Sequence, residues 1–179
     1  MLDGAAAEIL DAIGRVSRRP VIVVIDGRSG AGKTTLAARL LASAPVPAAV
    51  LGLDDVYPGW DGLAAGADAA LAVLRAVRDG RPGEWTTWDW ARDAPGARRA
   101  LPHADLVIAE GSGLLTPDVA AIADIRVWLE APAAQRRDRA LGRDGETYRP
   151  HWERWAAQEE THLVADDPVG LADLVVALP

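Results

Sequence analysis

Eight consecutive residues, "GRSGAGKT" from Gly27 to Thr34, constrain what this chain can fold into more tightly than any other stretch. They fit the pattern G-x-x-x-x-G-K-[ST]. They come directly after "VIVVID" (21–26), a short apolar run rich in β-branched residues, of the kind that forms a strand covered on both faces. Residues 33–43 then read as a helix. Strand, glycine-rich turn and helix in that order make a phosphate cradle. Gly27, Arg28, Ser29, Gly30, Ala31 and Gly32 let successive backbone N–H groups point inward, and the helix start at Lys33, Thr34 and Thr35 adds its positive end. Lys33 can reach the outer phosphates of a nucleoside triphosphate, ATP in this reading, and the Thr34 hydroxyl can bind Mg²⁺.

The lysine is informative in itself. Eighteen of the nineteen basic residues are arginine, which a genome-wide codon preference explains, and the single lysine stands where a guanidinium is a poor substitute. The formal net charge is −7, so the average field repels nucleic acid and anionic membrane surfaces. An anionic ligand must be held by a local concentration of donors. With no cysteine there are no disulfides and no thiolate metal sites. The opening "MLDGAAAEILDAIGRVSRR" lacks the order of a signal peptide, and no apolar run approaches the roughly eighteen residues of a membrane span. A soluble cytoplasmic protein is the expectation. A chain of 179 residues with 50% hydrophobic content supports one domain with a sizeable core.

Periodicity supplies the rest of the architecture. Residues 3–18 carry Ala6, Ile9, Ile13 and Val16 on one helical stripe. "PAAVLGLD" (47–54) reads as a second strand, and residues 61–79 as a helix stopped by Gly80. A polar, tryptophan-rich connection of about twenty residues follows. Three more buried strands are expected at 104–111, 123–132 and 172–179, with an Arg-rich helix and an aromatic, charged helix (149–164) between the last two. Strands alternating with helices predict an α/β fold with a parallel sheet. The aromatic, charged segment "RPHWERWAAQEETHL" reads as a packing helix, and His103, His151 and His162 have no metal-ligand spacing.

In such sheets ligands bind beyond the carboxyl ends of the strands. The second strand ends in "DDVY", on the same edge as the phosphate loop, so Asp54 or Asp55 faces the space beyond the γ-phosphate. A carboxylate there can take the proton of an attacking hydroxyl or help hold Mg²⁺. Neighbouring side chains diverge, and the sequence leaves open which of the two does so. A guanine-reading N-K-x-D step would need a second lysine, which leaves a small-molecule kinase as the remaining common option.

The ordered set "GRSGAGKT", "DDVY", "WDW" (88–90) and "VIAEG" (107–111) resembles the uridine kinase-like P-loop kinases over roughly residues 20–145. The resemblance implies a P-loop NTPase fold with a five-stranded parallel sheet flanked by helices. It also implies Mg-ATP-dependent phosphorylation of a hydroxyl on a small molecule, uridine- or cytidine-like in that family. Asp54 then matches the general base and Tyr57 the motif tyrosine. Trp88 and Trp90 match an aromatic pair that walls a nucleoside base and share a face, leaving Asp89 on the other while still counted among the substrate-binding residues, although the tryptophans could equally cover a sheet edge. Asp61 corresponds to an acid that holds sugar hydroxyls, or else caps the following helix. Glu110 stands where such kinases place an acid near metal or substrate, or else is a solvated strand end. "QRRDRALGRDG" (135–145) resembles the Arg-bearing lid, placed at about 132–147, with Arg139 and Arg143 matching best and Arg136 on the same face. The expected partner is a small hydroxyl acceptor, with a homodimer left open. The segment after Tyr57 is shorter than in uridine kinases, so uridine itself does not follow. An antibiotic or sugar-acid kinase, and an ATP-sensing module, are the alternatives.

Overall fold

The computed structural model describes residues 1–179, the side chain of Asp144 excepted. The elements run α1 (Leu2–Arg15), β1 (Val21–Gly27), α2 (Lys33–Ala42), β2 (Ala48–Gly52), α3 (Leu63–Arg78), β3 (Glu84–Asp89), β4 (Ala94–Ala100), β5 (Leu106–Glu110), α4 (Pro117–Ala120), β6 (Ile125–Glu130), α5 (Ala133–Tyr148), α6 (Trp152–Asp166), α7 (Pro168–Leu171) and β7 (Leu174–Ala177). Five strands form one parallel sheet in the order β2-β5-β1-β6-β7.

The period of two explains how the unbroken apolar run of β1 serves two cores. Ile22 and Val24 enter the core formed with α3, Tyr148 and Trp155, while Val21, Val23 and Ile25 enter the core formed with α1 and α2. All seven residues of β1 and all five of β5 are buried. The sheet therefore has no wet face at its centre, and ligand chemistry is confined to the strand ends. There the register aligns Ile25 with Glu110 and Gly52 with Glu110, bringing the phosphate loop, the end of β2 and the end of β5 to one edge.

Several expectations hold with shifted boundaries. The first helix ends at Arg15, where Val16 turns extended. At the end of α3, Arg81 N–H donates to Ala76 O and Gly80 N–H to Val77 O, the paired closure that a glycine stop permits. The aromatic helix starts at Trp152 after a 3₁₀ turn over Arg149–His151. The stretch read as a long connection is different: it forms an antiparallel hairpin, β3 with β4, outside the main sheet. Trp85 packs inward while Arg98 and Glu84 pair across the exposed side. "EWTTWD" is rich in aromatic and β-branched residues ahead of a turn-forming "ARDAPG", and that is the strand signal the connection reading passed over. Among the described residues no helix is long and apolar enough to cross a membrane.

Gly66 shows how tightly α3 meets the site. A Cβ there would lie 2.3 Å from Tyr57 Cδ1, and the ring cannot retreat because Trp155 stands edge-on to it and its hydroxyl is bonded to Ser112 O. Gly66→Ala should lose stability, since an overpacking cost of about 1–3 kcal/mol exceeds the roughly 0.8–1 kcal/mol gained in helix propensity. Gly14→Ala, with nothing within 4 Å of the added carbon, should gain stability instead. Urea midpoints for the two variants check the opposite signs.

Candidate active site

The phosphate loop leaves β1 at Gly27 and enters α2 at Lys33. Gly30 (φ 78°) and Gly32 (φ 103°) take backbone conformations that other residues rarely adopt, and a Cβ on Gly30 would collide with Arg136 O at 2.0 Å. The loop is fastened from below by Asp26, the fully buried residue before it. Its carboxylate accepts from the N–H groups of Gly27 (2.6 Å), Gly113 (3.0 Å) and Leu115 (2.7 Å), and it faces His162 Nε2 at 3.0 Å. Lys33 Nζ donates to Gly27 O at 2.7 Å and to Ser112 Oγ at 3.0 Å, so the lysine lies along the loop beside the end of β5.

A cavity of about 360 Å³ opens from Ser29, Gly30, Lys33 and Thr34 toward Asp54, Glu110 and a set of aromatic rings. Of the acidic pair, Asp54 lines this cavity, whereas Asp55 turns toward Arg99 on the hairpin at 3.8 Å. Asp54 is open to solvent, and Arg143 approaches it at 3.9 Å. Glu110 is only 7% exposed and accepts a hydrogen bond from Thr34 Oγ1 at 3.0 Å. Burial is the largest influence on Glu110 and lifts its pKa. Lys33 and the Thr34 hydroxyl oppose that rise and Asp54 adds to it, leaving the group above its ordinary value.

Among the described residues no cluster of three or more His, Cys, Asp or Glu side chains could by itself cage a metal ion. The Thr34 hydroxyl and Glu110 carboxylate fit the smaller demand of Mg²⁺, which takes one or two protein oxygens and fills its shell with phosphates and water.

The aromatic wall differs from the one read in the sequence. Trp90 lines the cavity and its indole N–H donates to Asp54 O at 2.9 Å, tying the hairpin to the end of β2. Trp88 instead lies against Gly59 and does not line it. The wall is completed by Trp60, Tyr148, Trp155 and the buried Tyr57. Trp60 stacks on His151 (4.3 Å) and Tyr148 (5.4 Å) and meets Trp90 at 4.7 Å. Trp60 stands only three residues beyond Tyr57, so strand-end placement could have found it; Tyr148 and Trp155 sit on later helices, and nothing local marks them.

Other residues singled out in the sequence have other contacts. Asp61 pairs with Arg154 of α6, whose hydrogen bond lowers the carboxyl pKa, and it neither lines the cavity nor caps α3, whose start at Gly62 has no side-chain cap. Asp89 accepts from the N–H groups of Ala91 and Arg92, closing the hairpin turn. In α5 the three arginines diverge. Arg143 lines the cavity, Arg139 donates to Gln135 O on the surface, and Arg136 is buried under the loop with Nη1 on Ser29 O at 3.3 Å. The helix bends at Gly145, which is non-helical within it. Arg28 turns away to Glu159 and Glu160, Ala31 is buried, and Thr35 is exposed outside the cavity.

No family model matches the chain, and the curated proteins hold no match to it. Solved structures do match over nearly its whole length. A possible uridine kinase from Bacillus stearothermophilus superposes with a TM-score of 0.70 at 19% identity, covering 98% of each chain. A protein named only provisionally as a fructose transport system kinase, from Silicibacter sp. TM1040, gives 0.67 at 22% identity over 100% of this chain and 99% of that one. YFH7 from Saccharomyces cerevisiae, provisionally a P-loop containing kinase with a circular permutation, gives 0.59 at 10% identity over 99% and 98%. These likenesses establish the fold, an α/β P-loop architecture with a five-stranded parallel sheet.

The helix reading of 149–164 missed one connection with a measurable consequence. His162, 6% exposed, bridges Asp26 and, through Nδ1 at 2.8 Å, Asp166. Burial alone would lower its pKa, but the hydrogen bond and charge of Asp26, then those of Asp166, outweigh burial and raise it above 6.5. Since the folded value lies above the unfolded one, protonated His162 adds stability in full below pH 6.5 and loses it as pH rises through the folded pKa. The stability advantage of the unmodified protein over His162→Gln should therefore shrink as pH rises above 6.5 in urea titrations. A constant difference would exclude titration of this residue.

Proposed function

We propose that the protein is a kinase that transfers the γ-phosphoryl group of Mg-ATP to a hydroxyl of a small metabolite with a flat body, nucleosides being the first class to test. The observation that carries this reading is the single cavity shared by the phosphate loop, the Asp54 carboxylate and the aromatic wall. It places a carboxylate and a stacking surface directly beyond the residues that would hold the outer phosphates. The solved structures of like fold, with kinase named for each, support it at the level of fold.

In this reading the loop amides and Lys33 hold the β- and γ-phosphates, and Thr34 and Glu110 would hold Mg²⁺, which would supply charge neutralisation there. Asp54 accepts the proton of the acceptor hydroxyl as its oxygen bonds to the γ-phosphorus and the bond to the β–γ bridging oxygen breaks, leaving ADP. Arg143, already beside Asp54, faces the charge that spreads over the transferring group. Trp60, Trp90, Tyr148 and Trp155 hold the acceptor body and exclude water.

ADP release from Mg-ATP, measured against a panel of ribo- and deoxynucleosides, sugars and aminocyclitols with a no-acceptor blank, tests the proposal. Stimulation by one class is the expected result. The sugar arm covers the fructose named for one structural relative. A flat response with ATP binding intact would overturn the kinase reading in favour of a nucleotide sensor. With the acceptor in hand, Asp54→Asn should lower kcat by about 10²–10⁴, the range for removing a general base, while leaving ATP affinity within about twofold.

A further inference from the structure

Helix α6 sends three side chains to the site from one face, Trp155, Glu159 and His162, at spacings of four and three. Trp155 lines the cavity and stands edge-on to Tyr57 at 4.8 Å. His162 meets Asp26 beneath the loop. Between them Glu159, only 3% exposed, reaches the loop itself. Its Oε1 accepts the N–H of Ser29 at 2.7 Å and its Oε2 accepts from Arg28 Nε at 3.3 Å.

A buried carboxylate against an anion-binding loop is unfavourable for phosphate on charge alone. Phosphoryl transfer has no use for it, so its role must lie in what it holds. Ser29 is gripped at every polar atom: the N–H by Glu159, the carbonyl by Arg136 Nη1 at 3.3 Å and the hydroxyl by Tyr148 Oη at 3.0 Å. The next residue, Gly30, lines the cavity in its left-handed conformation with no side chain to fix it. Ser29 is therefore held through the peptide on each side of it, by its N–H and by its carbonyl, and through its side chain, which fixes the backbone from which Gly30 continues. Arg28 pairs with both Glu159 and Glu160, which offsets the carboxylate's charge.

We infer that Glu159 is a positioning residue that shapes the phosphate loop by accepting the Ser29 N–H, and that α6 couples the cavity wall at Trp155 to the strength of nucleotide binding. Coupling follows because one rigid helix face carries both contacts, and any such coupling acts in both directions. The inference rests on the reading that the loop binds nucleotide.

Calorimetric titration of the full chain with Mg-ADP tests it. Glu159→Ala should weaken binding about tenfold, since it leaves a buried N–H without its acceptor. Glu159→Gln keeps the reach and an accepting oxygen and should stay within about threefold of the unmodified protein, whereas Glu159→Asp keeps the charge, is shorter by one C–C bond of about 1.5 Å, and should weaken binding as alanine does. This pair decides the matter even if the alanine variant fails to fold. Leu71→Ala, a cavity in the α3 core, serves as the control for general destabilisation and should bind normally. Trp155→Ala should weaken Mg-ADP binding about threefold in the unmodified background and not at all beside Glu159→Asp, a departure from additivity that reports coupling.

Normal binding by Glu159→Asp with weak binding by Glu159→Gln would overturn the positioning role in favour of a charge effect, and equal weakening by Leu71→Ala would reduce it to stability. Additive effects of Trp155 and Glu159 would overturn the coupling. Failure of the unmodified protein to bind Mg-ADP would overturn this inference together with the nucleotide reading, whereas normal binding unaffected by any Glu159 variant would overturn the inference alone.

Discussion

The site depends on a charge that has been taken entirely out of water. Asp26 has no exposed surface, and burying a carboxylate is tolerable only when its lone pairs are filled. Here they are filled by three main-chain N–H groups and by His162, drawn from the loop after β1, the segment after β5 and helix α6. One side chain thus fixes where the phosphate loop starts, where Ser112 stands relative to Lys33, and how close α6 can approach. Remove the carboxylate and three separate segments lose the same anchor.

The second constraint is local charge against a hostile average. A net charge of −7 works against phosphate, and most of the arginines do nothing to reverse it. They form ion pairs at the surface, such as Arg15 with Asp11 and Arg75 with Asp118, each contributing about 0–1 kcal/mol. The cations that bear on the cavity are Lys33 and Arg143, while Arg136 is buried for structural ends. Attraction for an anion is therefore built from oriented backbone amides and a few placed cations, which is a property of the fold and does not follow from composition.

This division also marks how far the sequence could be read. Features written in adjacent residues were legible: "VIVVID" followed by "GRSGAGKT", the acids at or just past two strand ends, Glu110 on β5 and Asp54 in the 3₁₀ turn after β2, and the alternation that makes a parallel sheet. Features that depend on what a buried face meets were not. Periodicity shows that Trp155, Glu159 and His162 share a side of α6, but it cannot show that this side rests on the phosphate loop. Likewise the alternation in "WDW" placed Trp88 and Trp90 together, but β3 ends at Asp89 and Trp90 already lies in the hairpin turn, where alternation no longer applies. Asp26 looked like the last letter of a strand and proved to be its anchor.

The aromatic wall raises a final point about specificity. Its rings come from the segment after β2, from the hairpin, from the end of α5 and from α6, so no single element defines the cavity wall. Yet these pieces are not independent of the acid. The indole of Trp90 is bonded to the carbonyl of Asp54 itself, Trp60 packs between the end of α5 and the hairpin, and Tyr57 joins Trp155 to Ser112, the partner of Lys33. A change that reshapes the wall must also move the backbone that carries Asp54 or the residue that supports Lys33. In the proposed reaction, acceptor choice and phosphoryl transfer share the same hydrogen bonds, so altering one without the other requires substitutions that keep the Trp90 indole N–H and the Tyr57 hydroxyl in place.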